Sequence, residues 1–190
     1  MVRLRAPRCP PIATGDDLVV TLSVCLTLDP SAERAVRALW QRLEEDGIAT
    51  LLSHTHGRHI PHLTLASLRS WDLTSVQREL SGTPIELPQV VNFDALGMFR
   101  RSRCWLVPAA SPALLHDQQA VVDAVRRSGA DLHRHYEPGR WVPHLTLAPR
   151  LHLKELPVVA ARVYDVLPVS ATLGELTLID TSTGARHSVA

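Results

Sequence analysis

The chain has 190 residues, 45% of them apolar, and a formal net charge of +1. That is enough chain for one sizeable core or two small lobes, and too little positive charge for a long nucleic-acid groove. A nucleotide or an RNA end stays within its reach. Three cysteines, Cys9, Cys25 and Cys104, are widely spaced with no C-x-x-C pair, which argues against a disulfide framework or a zinc ribbon and fits a reducing cytoplasm. Met1 to Arg5 is basic, but Pro7, Arg8, Pro10 and Pro11 follow where a signal peptide would be apolar, and no apolar run reaches membrane-span length.

In chain order, residues 1–15 read as a flexible Pro- and Arg-rich tail. Leu18 to Leu28 is rich in Val, Leu and Thr and predicts a strand. Asp29-Pro30 starts a helix carrying Ala32, Val36, Leu39 and Leu43 at helical spacing, and Gly47 stops it. Ile48 to Leu52 reads as a short strand, and Ser53 to Ile60 as a polar, histidine-rich loop. Pro61 then opens a strand. Asp72 begins a helix with Leu73, Val76 and Leu80, closed by Gly82. Ile85 to Phe93 returns as a strand that Leu96 to Phe99 extends. Cys104 to Val107 is the next strand. Ser111-Pro112 caps a helix with Leu115, Gln118, Val122 and Val125 on one face, ended by Gly129. Asp131 to Arg140 is a polar loop with a Pro138-Gly139 turn. After a further strand, Lys154 to Val166 is a helix with Pro157 in its first turn. Thr172 to Ile179 is a strand, and Thr181 to Ala190 is either a tail or a last edge strand.

One stretch organises this list. Pro61-His62-Leu63-Thr64-Leu65-Ala66 recurs 82 residues later as Pro143-His144-Leu145-Thr146-Leu147-Ala148, and the helices beginning near Pro30 and Pro112 keep the same offset. The pattern is an internal duplication. In each copy His and Thr share one face of a strand and the two leucines the other. The halves, about 18–95 and 98–180, each run strand, helix, PHLTLA strand, helix, strand. The expectation is an α+β fold in one bilobal domain over 16–180: two antiparallel sheets about a pseudo-twofold axis, helices outside, and a central cleft between the motifs.

Two imidazoles facing one phosphorus divide the proton work: one takes a proton from the attacking oxygen, the other gives one to the leaving oxygen. Thr64 and Thr146 are placed to donate to non-bridging phosphate oxygens. No carboxylate stands near either motif to complete a metal site, so no metal and no cofactor is expected. A lone histidine on a strand reads as structural, satisfied by a backbone group. Two in an identical repeat favour function. The loop arginines Arg58, Arg100, Arg101, Arg103, Arg134 and Arg140 read mostly as solvated surface charge, and the two just before the motifs, Arg58 and Arg140, are the candidates for holding a second phosphate or a base. Tyr136 and Trp141 could stack a base, with core packing equally open for Trp141. His54, His56 and His59 read as a solvated loop, with a substrate-contacting rim as the second reading.

The two His-x-Thr-x motifs, His62-Leu63-Thr64-Leu65 and His144-Leu145-Thr146-Leu147, resemble the two-histidine phosphoesterase superfamily, which includes RNA 2′,3′-cyclic phosphodiesterases and 2′-5′ RNA ligases. Leu28-Asp29-Pro30 and Gly97-Met98-Phe99 add to the resemblance, which covers about Leu18 to Ile179. It implies a bilobal duplicated α+β fold with a cleft, and metal-independent cleavage or formation of phosphodiester bonds. It makes His62 and His144 the acid–base pair and Thr64 and Thr146 the phosphate holders. The expected substrate is an RNA end or small nucleotide carrying a 2′,3′-cyclic phosphate, handled by a cytoplasmic monomer without a membrane partner. The alternatives are 2′-5′ linkages, cyclic oligonucleotides, ADP-ribose cyclic phosphate, or a non-catalytic module that binds phosphate or RNA ends.

Overall fold

The computed structural model describes residues 22–100 and 102–189. The expected tail, the start of the first strand, Cys9, Arg101 and Ala190 lie outside those residues. Strand β1 (Leu22–Leu28) is buried except at Thr27, so both its faces meet protein, with Leu22, Val24, Leu26 and Leu28 on one face and the smaller Ser23, Cys25 and Thr27 on the other. Helix α1 (Pro30–Glu45) follows at once because Asp29 caps it. Its Oδ1 accepts from the amides of Ser31 at 2.9 Å and Ala32 at 3.1 Å.

The remaining elements are β2 (His62–Ser70), α2 (Leu73–Ser81), β3 (Gln89–Met98), β4 (Cys104–Pro108), α3 (Pro112–Arg127), β5 (Asp131–Leu132), β6 (Leu145–Ala148), α4 (Leu156–Tyr164), β7 (Val169–Asp180) and β8 (Arg186–Ser188). Single 3₁₀ turns cover Arg134–Tyr136 and Leu153–Glu155. Helices α1 and α3 have the same length, and the bounds of one are those of the other moved by the repeat offset. Among the described residues no helix is long and apolar enough to cross a membrane.

Among the described residues all strand pairs are antiparallel, and they form one eight-stranded sheet in the order β5-β2-β1-β7-β3-β4-β6, with β8 on β7. The two expected sheets are thus hydrogen-bonded into one, and β7 is the reason. It is twelve residues long, so its first part pairs with β3 while the rest pairs with β1. The order from β2 to β6 is palindromic in the repeat: the third strand of each half lies beside the first strand of the other. The leucines Leu63, Leu65, Leu145 and Leu147 are fully buried in one shared core.

Four local readings are corrected. Ile48 to Leu52 is not a strand: the Glu44 carboxylate gathers the segment, accepting from the hydroxyls of Thr50 at 2.7 Å and Ser53 at 2.8 Å and from both their amides. Leu115 is exposed, and its neighbour Leu114 takes the buried position in α3. The strand expected from Ile85 begins only at Gln89. The buried Asp117 holds the stretch before it, through the Glu86 amide and the Gln89 side chain. The loop from Asp131 contains β5, which pairs with β2, and a 3₁₀ turn. The last segment is the edge strand β8.

Asp29 does more than cap. Its Oδ2 accepts from the Thr172 amide at 2.7 Å, and its own amide donates to the Thr172 carbonyl, tying α1 to β7. These bonds, the one to Thr172 foremost, hold its carboxyl below the ordinary value. Asp29→Ala is expected to cost about 2–3 kcal/mol, a lost cap plus a stranded amide, read from the denaturant midpoint. The charge contribution is full above the ordinary carboxylate range. It is lost as pH falls through the lowered folded pKa, so the gap between wild type and variant narrows in acid.

Candidate active site

Each motif histidine sits just after a proline. A residue before proline is held extended, and this presents the carbonyl two residues upstream to the ring. His62 Nδ1–H donates to the Ile60 carbonyl at 2.7 Å, and His144 Nδ1–H donates to the Val142 carbonyl at 2.7 Å. A carbonyl only accepts, so the proton is on Nδ1 in both rings. Nε2 is left as the nitrogen that can take or give a proton. The duplicated sequence therefore builds the same tautomer lock twice.

The two motifs come together although β2 and β6 lie toward opposite ends of the strand order. Residues of these strands approach with Cα atoms within 8 Å. The Leu51 amide reaches the Leu147 carbonyl beside β6. The Trp141 indole N–H donates to the Thr64 carbonyl at 3.0 Å, and the buried Gln118 side chain bonds the carbonyls of both Leu65 and Tyr136. Segments of the second half thus clasp the first motif. Trp141 takes the packing role, and Gln118, legible only as a helix-face residue, serves as a cross-strand tie.

Burial is the largest influence on both rings and disfavours their charged forms. His62 lies below its ordinary value, its bond to Ile60 working the other way. His144 is pushed down to about 4: burial leads, the Val142 bond opposes it, and the charges of Arg103 and His62 add to it. His144 also stands in an aromatic corner. The Phe99 ring lies 5.0 Å from it, edge-on, and Trp105 lies 5.8 Å away; Phe99 and Trp105 stack at 4.9 Å. Trp105 in turn lies over Gly97, where an added Cβ would come within 2.5 Å of the indole.

The threonines are not equivalent. Thr64 is buried, lies 3.6 Å from Cys25 Sγ, and hydrogen-bonds the Tyr136 phenol, which burial raises to about 12. Thr146 is half-buried, opposite Trp105 in the ladder. Tyr136 therefore meets the site through Thr64, with its ring packed against the core. Arg58 is engaged elsewhere, donating to the Thr183 carbonyl in the turn before β8, and Arg140 is exposed in the turn after Glu137. Among the described residues, an arginine whose charge reaches the site is Arg103, which acts on His144, Tyr136 and, with Arg150, on His54. Its nearness comes from the pairing of β4 with β6, which places the turn before β4 beside the second motif.

The histidine-rich loop is not the solvated segment expected. His54 and His59 stack at 5.8 Å, His56 and His59 lie 4.2 Å apart, and all three are partly buried. Burial leads in pushing His59 down to about 4, with His56, His54 and His62 adding to it. Among the described residues no group of three or more His, Cys, Asp or Glu is arranged to hold a metal ion.

The fold is shared with solved structures. A phosphoesterase crystal structure aligns with TM-score 0.58 at 16% identity, over 90% of this chain and 94% of that one. E. coli LigT in apo form aligns with TM-score 0.59 at 18% identity, over 88% and 93%, and LigT complexed with 3′-AMP with TM-score 0.58 at 16% identity, over 88% and 92%. No curated protein sequence matches the chain. The family model of the 2′-5′ RNA ligase superfamily matches residues 26–185, most of the chain and both of its histidine motifs, and the protein therefore belongs to that superfamily, among the two-histidine phosphoesterases.

Proposed function

We propose that the protein is a phosphodiesterase that opens a 2′,3′-cyclic phosphate on an RNA end or nucleotide to a monoester. The observation that carries this reading is the pair of imidazoles locked alike through Nδ1, each with Nε2 left to exchange a proton. His144 and His62 are the acid–base pair. One Nε2 removes a proton from water, the water oxygen attacks phosphorus, and the other Nε2–H protonates the ribose oxygen as its bond to phosphorus breaks. Thr146 donates to a non-bridging oxygen, and Thr64 does so once its hydroxyl turns from Tyr136. Every step runs through side chains of this chain. That LigT has been crystallised with 3′-AMP, NADP+ and ATP supports a nucleotide-sized ligand for this fold.

Burial holds both rings below their ordinary value, which favours the neutral imidazole that a base needs, and the direction of the reaction decides which of the two acts as acid. Arg103 stands close enough to act on His144 and to pair with the substrate's phosphate. Arg103→Ala is expected to raise KM about 10–100-fold, the worth of a charged hydrogen bond. It also removes a cation that opposes the proton on His144. The His144 pKa rises, and the limb of the kcat/KM profile that His144 governs moves to higher pH. A profile that stays in place, with KM unchanged, puts Arg103 outside the site.

The direct test is a substrate panel with product mass: nucleoside 2′,3′-cyclic phosphates, an RNA ending in a 2′,3′-cyclic phosphate, a 2′-5′-linked dinucleotide, a cyclic oligonucleotide and ADP-ribose cyclic phosphate. Ring opening of the first two is the expected result. Turnover confined to one of the others moves the reading to that linkage, and binding without turnover of any overturns it.

A further inference from the structure

We infer that the substrate's nucleobase binds in an open groove beside His144, formed by the β3–β4 turn and the segment after β6; this rests on the function proposed above. The groove has a volume of about 430 Å³, within the usual range of small-molecule sites. One wall carries Met98, Phe99, Arg100 and Ser102, the other Leu151, His152 and Leu153.

Backbone bonds build both walls in advance. The Leu151 amide donates to the Ser102 carbonyl at 2.8 Å and joins them, while the Phe99 amide closes the turn on the Arg103 carbonyl at 2.8 Å. Ser102 has φ +68, a left-handed conformation rare for a residue with a side chain. Glu155 holds the opposite wall by accepting from the His152 amide at 2.8 Å.

Phe99 belongs to both places. It lines the groove, and its ring stands 5.0 Å from that of His144. A phosphate held at His144 therefore brings whatever is attached one sugar ring away to the Phe99 side. The lining suits a flat aromatic heterocycle: apolar surface for its faces from Phe99, Met98 and the 76%-exposed Leu153, with Arg100, Ser102 and His152 as hydrogen-bonding groups for its edge. A second phosphate gains nothing from the leucines, and an alkyl chain gains nothing from the polar edge.

In the other half the corresponding turn is packed differently. The residue that corresponds to Ser102 under the repeat is Gly184, with φ +73, and its turn packs directly on His56 and Arg58. The groove thus marks one side of a nearly symmetric site and gives the substrate a direction.

The test compares a nucleoside 2′,3′-cyclic phosphate with a ribose 2′,3′-cyclic phosphate that lacks a base, in wild type, Leu153→Glu and Arg100→Glu. Both positions are solvent-exposed, so the variants are expected to fold, as checked by circular dichroism. Wild type is expected to favour the nucleotide in kcat/KM by on the order of tenfold, the scale of one stacked base. In the variants that ratio falls toward one. A wild-type ratio near one, or a ratio that both variants leave unchanged, overturns the groove assignment. If neither compound is hydrolysed, the proposed function fails instead. Calorimetric binding of a nucleoside 3′-monophosphate and of ribose 3-phosphate then decides the groove alone: equal affinities, or a difference that survives both substitutions, overturn it.

Discussion

Alanine in place of His62 or His144 is expected to lower kcat on a 2′,3′-cyclic phosphate by about 10²–10⁴-fold at either position, the range of a positioned acid or base. KM should change little, because neither imidazole is asked to supply most of the binding. The double variant should fall far short of the product of the two single losses, since the rings act as a unit. His144→Asn separates structure from chemistry. Its side-chain amide can still reach toward the Val142 carbonyl that now accepts from Nδ1, but it carries no proton-exchanging Nε2. It should lose as much activity as alanine while keeping the thermal midpoint closer to that of wild type. Near-wild-type turnover in either alanine variant would remove the acid–base assignment.

The second large effect is expected from a residue with no side chain of its own. Gly97→Val places side-chain atoms where the Trp105 indole now lies, since even a Cβ would stand 2.5 Å from it. The indole cannot yield freely: it is stacked on Phe99, and both rings contact His144. Its displacement carries the imidazole with it. A shift of about 1 Å in a positioned group can cost on the order of 10²-fold in rate, and overpacking adds about 1–3 kcal/mol of lost stability. The comparator is Gly174→Ala in β7, where an added Cβ meets nothing within 4 Å. Kinetics and unfolding on the two variants decide the point. Equal activities would show that the aromatic corner does not position His144.

How much of this was legible in the chain depended on how local the cause was. Asp29-Pro30 and Ser111-Pro112 announce their helices because cap and first turn are neighbours in sequence, and both helices start where read. The alternation of PHLTLA put its leucines in the core for the same reason. Ile48 to Leu52 misled because its composition suits a strand while a carboxylate four residues upstream, Glu44, gathers it into a turn. Arg58 and Arg140 stand next to the motifs in the chain, and that adjacency suggested them. Arg103 acts on the site because β4 pairs with β6, a contact across forty residues that no local pattern reports. The merging of the sheets was hidden likewise: Val169 to Ala171 at the head of β7 earned no strand reading, yet that portion is what pairs with β3.

The crossed placement of β3 and β7 carries a consequence for the two halves as separate molecules. Cut in the turn after Phe99, each fragment would hold a helix pair and a strand whose hydrogen-bonding partner belongs to the other fragment. Neither piece should fold or turn over substrate by itself, and mixing them should restore both together in one-to-one stoichiometry. The ancient doubling would then read as a pair of obligate complements rather than two self-sufficient copies joined by a linker.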